Sequence, residues 1–182
     1  LSIVFLHDDS CSPKVINENV LKQQTSFVFI SQKIDKAGKI IFTTKGEVGE
    51  FPIVVEQLRW NKWLTVGEIK PTDTIKQNMY SFETKPHYAQ NVFRLKHLDE
   101  DGNTAYSKEI KFRSSSIREL LIYEQKKVTK DLLFSGETMY EIYDSKGNLI
   151  KTGFGIRINV SELPKGKYLV NFDNKNDFFI KK

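Results

Sequence analysis

Ile156-Arg157-Ile158-Asn159-Val160, Leu163-Pro164-Lys165-Gly166 and Tyr168-Leu169-Val170-Asn171-Phe172 are the stretches that decide the fold. On either side of the Pro-x-Gly, apolar residues occupy every second position, the period of a strand with one buried face. Proline fixes φ and removes a donor, and glycine tolerates backbone angles closed to other residues, so the chain must turn between the two strands. Asp144-Ser145-Lys146-Gly147-Asn148 joins two more apolar runs in the same way. Ile117–Tyr123, Val128–Phe134, Thr138–Asp144 and Asn148–Lys151 read as strands upstream. With the final run at Phe178–Ile180 they give about seven short strands, the count and spacing of an Ig-like β-sandwich.

The first part of the chain repeats the pattern. Phe27–Ile34, Lys39–Thr44, Ile53–Trp60, Trp63–Ile69, Met79–Phe82, Val92–Leu98 and Thr104–Phe112 are strand candidates separated by Gly-, Pro- and Asn-containing breaks. Strands without long helical repeats predict a second sandwich, so the expected fold is all-β, two tandem Ig-like sandwiches. We place an N-terminal segment at 1–25, one sandwich at 26–113 and the other at 117–182, with Arg113-Ser-Ser-Ser116 as the junction. Lys14–Gln24 reads as loop or short helix. Leu1–Leu6 is too short to span a bilayer, and is either the end of a removed signal or a first strand.

Two resemblances add to this reading. The order Tyr143-Asp144-x-x-Gly147, Lys151, Leu163-Pro164-x-Gly166-x-Tyr168 and Phe179-Ile180-Lys181-Lys182 resembles the C-terminal sorting domain of cargo exported by the type IX secretion system of Bacteroidetes. The resemblance covers about Tyr123–Lys182. It departs from the family at its start, where Tyr123-Glu124-Gln125-Lys126 stands in place of Tyr-Pro-Asn-Pro. It implies transit through the periplasm, recognition by the outer-membrane translocon and its processing machinery, and release or attachment to surface lipopolysaccharide. Pro164, Gly166, Tyr168, Lys181 and Lys182 are the implied sorting contacts. The order Val54-Val-Glu56, Trp63-Leu-Thr-Val-Gly67, Tyr80-Ser-Phe82, Asn91-Val-Phe-Arg-Leu-Lys96, Asp99-Glu-Asp-Gly102 and Tyr106-Ser-Lys108 resembles the fibronectin type III-like modules of Bacteroidetes surface proteins. That likeness implies a spacer or interaction module, and fold rather than function.

No catalytic chemistry stands out. The net charge of +5 is spread along the chain without a run of five like charges, which lacks the footprint of nucleic-acid binding. Cys11 is the only cysteine, so no internal disulfide framework is expected, and despite neighbouring His7, Asp8 and Asp9 it reads as a free thiol. Asp99-Glu-Asp-Gly-Asn103 has the wrong register for an EF-hand and reads as a hairpin tip. Gly153-Phe-Gly155 lacks the third glycine of a dinucleotide fingerprint and reads as a bulge or strand crossover. His7, His87 and His97 show no metal spacing. Neither a metal nor a cofactor is expected, and no transmembrane segment. Trp60 and Trp63 are the candidate ligand aromatics, either core or exposed for stacking on sugars or a partner. The resulting expectation is a non-catalytic, sorted surface or secreted protein. The alternative is a periplasmic or surface protein- or carbohydrate-binding module that is not sorted.

Overall fold

The computed structural model describes residues 27–47, 51–72, 74–99, 102–123 and 127–182. The expectations for Leu1–Leu6, Lys14–Gln24 and the group around Cys11 lie outside the described residues. Eight strands build the first unit: β1 Val28–Ile34, β2 Lys39–Lys45, β3 Ile53–Arg59, β4 Lys62–Ile69, β5 Asn78–Glu83, β6 Ala89–Leu98, β7 Thr104–Tyr106 and β8 Ile110–Ser114. They form a three-stranded sheet, β1-β2-β5, and a second sheet, β4-β3-β6-β7, whose β6 also pairs with β8. Alternate residues of both point inward: Ile40 and Phe42 from one sheet meet Ile53, Val55, Phe93, Leu95 and Ile110 from the other.

Three hairpin tips share one chemistry. Asp35-Lys-Ala-Gly38-Lys39, Asp99 to Asn103 and Asp144-Ser-Lys-Gly147-Asn148 each place glycine at positive φ, at 88°, 81° and 85°. In each, the aspartate carboxylate accepts the amide of the residue four positions on. Asp99 is therefore engaged in closing its hairpin, also accepting Asn103 Nδ2 at 3.1 Å; Glu100 and Asp101 lie outside the described residues.

Two details correct the sequence reading. The β3–β4 turn is Trp60-Asn61, both at positive φ (51° and 62°), and Arg59 pairs with Lys62 across it. This is a two-residue hairpin of the primed type, so Trp60 belongs to the turn and not to a strand. The expected strand Thr104–Phe112 is two strands. Between them Ser107 donates its amide to Leu95 O at 2.9 Å, and its Oγ accepts Leu95 N at 2.9 Å, so a side chain replaces one rung of the ladder.

The C-terminal unit has β9 Lys127–Val128, β10 Asp131–Tyr143, β11 Leu149–Asn159, β12 Gly166–Phe172 and β13 Lys175–Lys181, in the order β11-β10-β12-β13-β9. About seven short strands were expected from Ile117 onward; here two long strands replace four of them, and Ile117–Tyr123 contributes only the bridge Ile122–Phe134. Ser135-Gly-Glu137, the gap between two expected strands, is a large bulge. Leu133 pairs with Arg157 and Thr138 with Gly155, leaving four residues of β10 opposite one of β11. The bulge folds β10 onto itself. Phe134 and Tyr140 lie six residues apart, roughly 20 Å along a straight strand, yet their ring centroids are 6.4 Å apart. Gly153-Phe-Gly155 lies inside β11 and not at a crossover. A Cβ on Gly153 would stand 2.8 Å from the Tyr140 hydroxyl oxygen, so the glycine lets that ring lie on the strand. The core runs from Val128, Leu132 and Phe134 through Ile142, Ile158 and Val160 to Tyr168, Val170, Phe172 and Phe179.

Candidate functional site at the C-terminal turn and outer sheet face

The turn before β12 is anchored from inside. Leu163 is buried and donates its amide to Val160 O at 3.1 Å, which leaves Pro164 and Gly166 on the surface. Tyr168 is buried, stacks on Phe179 with centroids 5.4 Å apart, and donates its hydroxyl to the Pro164 carbonyl at 3.0 Å. The Pro-x-Gly-x-Tyr spacing thus ties the turn to the core through one side chain. Tyr168→Phe keeps the ring and removes this bond, and should lower unfolding free energy by about 1 kcal/mol in a denaturant titration.

The terminal lysines differ from each other. Lys181 is buried, with Nζ on the Lys182 carbonyl at 2.8 Å, so it is not the solvated end charge its position suggests. Lys182 is exposed, and its amide donates to Val128 O at 3.0 Å, fastening the chain end to β9. Of the five implied sorting contacts, Pro164, Gly166 and Lys182 are exposed while Tyr168 and Lys181 shape the interior.

The outer face of the same sheet carries a row invisible in any one strand. Cross-strand register aligns Leu149, Tyr143, Leu169 and Phe178 across β11, β10, β12 and β13. Leu149 and Leu169 are 52% and 46% exposed. The next row brings Lys167 opposite Ile180, which pairs in turn with Lys127. The Lys167 ammonium sits 4.4 Å from the Phe178 ring centroid.

The first unit touches this face through its β3–β4 hairpin. Lys62 Nζ donates to Glu141 Oε2 at 3.1 Å and to Tyr143 Oη at 2.7 Å. Burial opposes ionisation of Glu141, but hydrogen bonds from Tyr143, Lys62 and Asn171 outweigh it and hold the carboxyl below the ordinary glutamate range. Arg59, also buried, donates to Gln57 Oε1 at 2.8 Å, to Asp173 O at 3.3 Å and to Lys85 O at 3.4 Å. Gln57 continues to Asn91 Oδ1 at 2.8 Å, and Asn91 accepts the His87 amide at 2.9 Å. An open cleft of about 750 Å³ lies beside this network, lined by Arg59, Phe82, His87, Leu120, Met139 and Phe154 among others. Gln57 and Arg59 carry the one signal sequence reading passed over: polar residues on the inward-facing period of β3, after Ile53 and Val55.

His87 and His97 share one kind of environment. Each is buried, with one ring nitrogen lacking a partner: Nε2 of His87 and Nδ1 of His97. Burial pushes both imidazoles below their ordinary value. The unfolded chain then binds more protons, so stability is full above about pH 6.5 and falls as acid titrates through the folded-state values. Glu141 and Glu47, both depressed, extend the loss below about pH 4.3. The urea midpoint should therefore decline from about pH 6.5 downward; a midpoint unchanged between pH 7 and pH 5 would contradict the burial of both rings.

Neither tryptophan forms an open platform. Both are partly buried. The Trp60 Nε1 is buried without a partner. The Arg94 guanidinium lies over Trp63 at 4.2 Å and Tyr106 at 4.3 Å and pairs with Glu56 at 2.6 Å, so a cation occupies the space between these rings. Among the described residues, no three His, Cys, Asp or Glu side chains come together in a group able to hold a metal ion. No helix among them is long and apolar enough to cross a membrane.

Residues 125–182 match the family described as the secretion system C-terminal sorting domain. By this match, this third of the chain is similar to the type IX sorting domain, which signals secretion to the cell surface or the extracellular space. No curated protein matches the chain. Among solved structures, a tetra-tandem repeat from the extending region of a large adhesion protein aligns with 85% of this chain at 10% identity and a TM-score of 0.33. The chain spans 46% of that structure's length. Fibronectin(III)-like modules of Clostridium thermocellum CbhA align with 86% of this chain and 93% of theirs at 8% identity and a TM-score of 0.30.

Proposed function

We propose that this chain is a non-catalytic exported protein in which a fibronectin-like module is carried outward by its C-terminal sandwich, read by the translocon as a folded surface. The observation that carries the reading is the sorting-domain match over 125–182, together with a turn whose motif residues are divided between surface and core. The exposed turn residues Pro164 and Gly166, with Lys182, are the contacts. Tyr168 and Lys181 act by holding that turn and the chain end in place. The first module is a spacer or interaction unit, and the boundary between the two folding units lies at 113–117. Support for two units comes from separate core clusters and from sheets that do not cross that segment.

The test compares the full chain with one lacking residues 117–182 in a host with a working type IX system. Surface protease sensitivity or recovery from the medium is expected for the first alone. Equal export of both would defeat the proposal, and retention of a folded full chain in the periplasm would favour the unsorted interaction module.

A further inference from the structure

Arg59 is where the first unit reaches into the second. It is 6% exposed at the end of β3, and its Nε is held inside its own unit by Gln57 Oε1 at 2.8 Å. Its other two bonds are longer: 3.3 Å to the carbonyl of Asp173, in the turn between β12 and β13, and 3.4 Å to that of Lys85. Bonds of this kind ordinarily lie near about 2.9–3.0 Å, so the link between the units is the slack part of the network.

His87 belongs to the same network and lines the same cleft. Its amide and Gln57 Nε2 both donate to Asn91 Oδ1, and Gln57 in turn accepts from Arg59. The ring is 2% exposed. Nδ1 stands 2.8 Å from the Tyr88 carbonyl, which can only accept, so Nδ1 carries the proton and Nε2 is a lone pair without a partner. A proton added at Nε2 would find no acceptor, and would set a second buried cation near the Arg59 guanidinium. Burial is the main effect opposing that charge, with Arg59 adding to it, while the Tyr88 carbonyl and the Asp173 carboxylate act the other way. Glu83, Lys85 and Glu137 complete the charged lining of the cleft and are exposed, with Glu83 3.8 Å from Lys39. The second contact between the units titrates elsewhere. Lys62 donates to Glu141 and Tyr143, and Glu141 is held below the ordinary glutamate range, so this contact keeps its charges in mild acid.

We propose that Arg59 and His87 form an acid-released latch between the two units: a proton on His87 Nε2 frees Arg59 from the Asp173 carbonyl, and the cleft opens about the Lys62 contact with both sandwiches intact. The two cores are separate clusters, so parting the units breaks neither. Opening admits water to the ring and returns it to its ordinary value of about 6.5, so the open form binds the proton more tightly and acid draws the equilibrium toward it. This inference stands apart from the export reading and is tested on the purified full chain.

Spin labels at the exposed positions Ser81→Cys and Ser161→Cys, with Cys11→Ser, report the distance between the units. The ratio of separated to docked distances should rise about tenfold from pH 7.5 to pH 5.5, while amide protection persists at Phe93, Leu95, Val170 and Phe172. His87→Gln, which cannot titrate, should abolish the rise, and His97→Gln should leave it in place. Ring-nitrogen shifts of the chain that keeps His87 give a second reading that needs no substitution at the latch: Nε2 should take its proton as the distances change. A ratio constant over this range, a rise that survives His87→Gln, protonation of His87 without separation, or loss of core protection at the same pH would each overturn the proposal.

Discussion

Phe134→Ala is expected to destabilise the C-terminal sandwich by about 3–5 kcal/mol, a large share of what a domain this small possesses. Phe134 is 1% exposed and stacks on Phe172 with centroids 4.7 Å apart. Because β10 folds back on itself at the bulge, this ring fills the angle between the two halves of one strand. Truncation would leave a cavity that the bent hairpin cannot close without giving up its bulge register. Amide exchange read along the chain checks both the size and the reach of the effect. Protection should fall across β10 to β13 and persist at Phe93 and Leu95, in the other core. A uniform loss in both units would contradict the proposal that they fold separately.

Deleting Phe178–Lys182 should cost at least as much. It removes Phe179, which is fully buried and stacked on Tyr168, and the part of β13 that pairs with Gly166–Leu169. It also removes the strand against which β9 pairs, and the amide of Lys182 that holds Val128. Loss of the aromatic alone is worth about 3–5 kcal/mol, and Gly166–Leu169 of β12 would be left as an exposed edge. Limited proteolysis should show cutting within 127–177 in the truncated chain and resistance in the intact one. A truncated chain as resistant as the intact one would mean that the last strand is not part of the cooperative unit.

The all-β fold could be read from alternation and turn chemistry because those are local properties. Ile156, Ile158 and Val160, or Tyr168, Val170 and Phe172, carry their own period, and Asp144 to Asn148 specifies its own hairpin. What stayed hidden is set by contacts across the sheet. Ser135-Gly-Glu137 has turn composition, and only the facing Arg157 and Gly155 reveal it as a bulge inside a long strand. Trp60 shows no turn preference of its own; the pairing of Arg59 with Lys62 forces it to positive φ. The site follows the same rule. Pro164 and Gly166 announce the turn, but the row Leu149, Tyr143, Leu169 and Phe178 comes from four strands. Lys181 looks like a charged tail in sequence and is buried because β9 covers its strand.

We propose that the C-terminal sandwich suffices as an export signal read in its folded form. The direct measurement fuses Ser116–Lys182 to a fluorescent reporter that folds in the periplasm, in a host with a working type IX system, with proteolytic resistance confirming that the sandwich is folded. Reporter at the surface or in the medium, lost on deleting Phe178–Lys182, is the predicted result. Reporter held in the periplasm behind a folded sandwich would mean that the folded domain is not a sufficient signal.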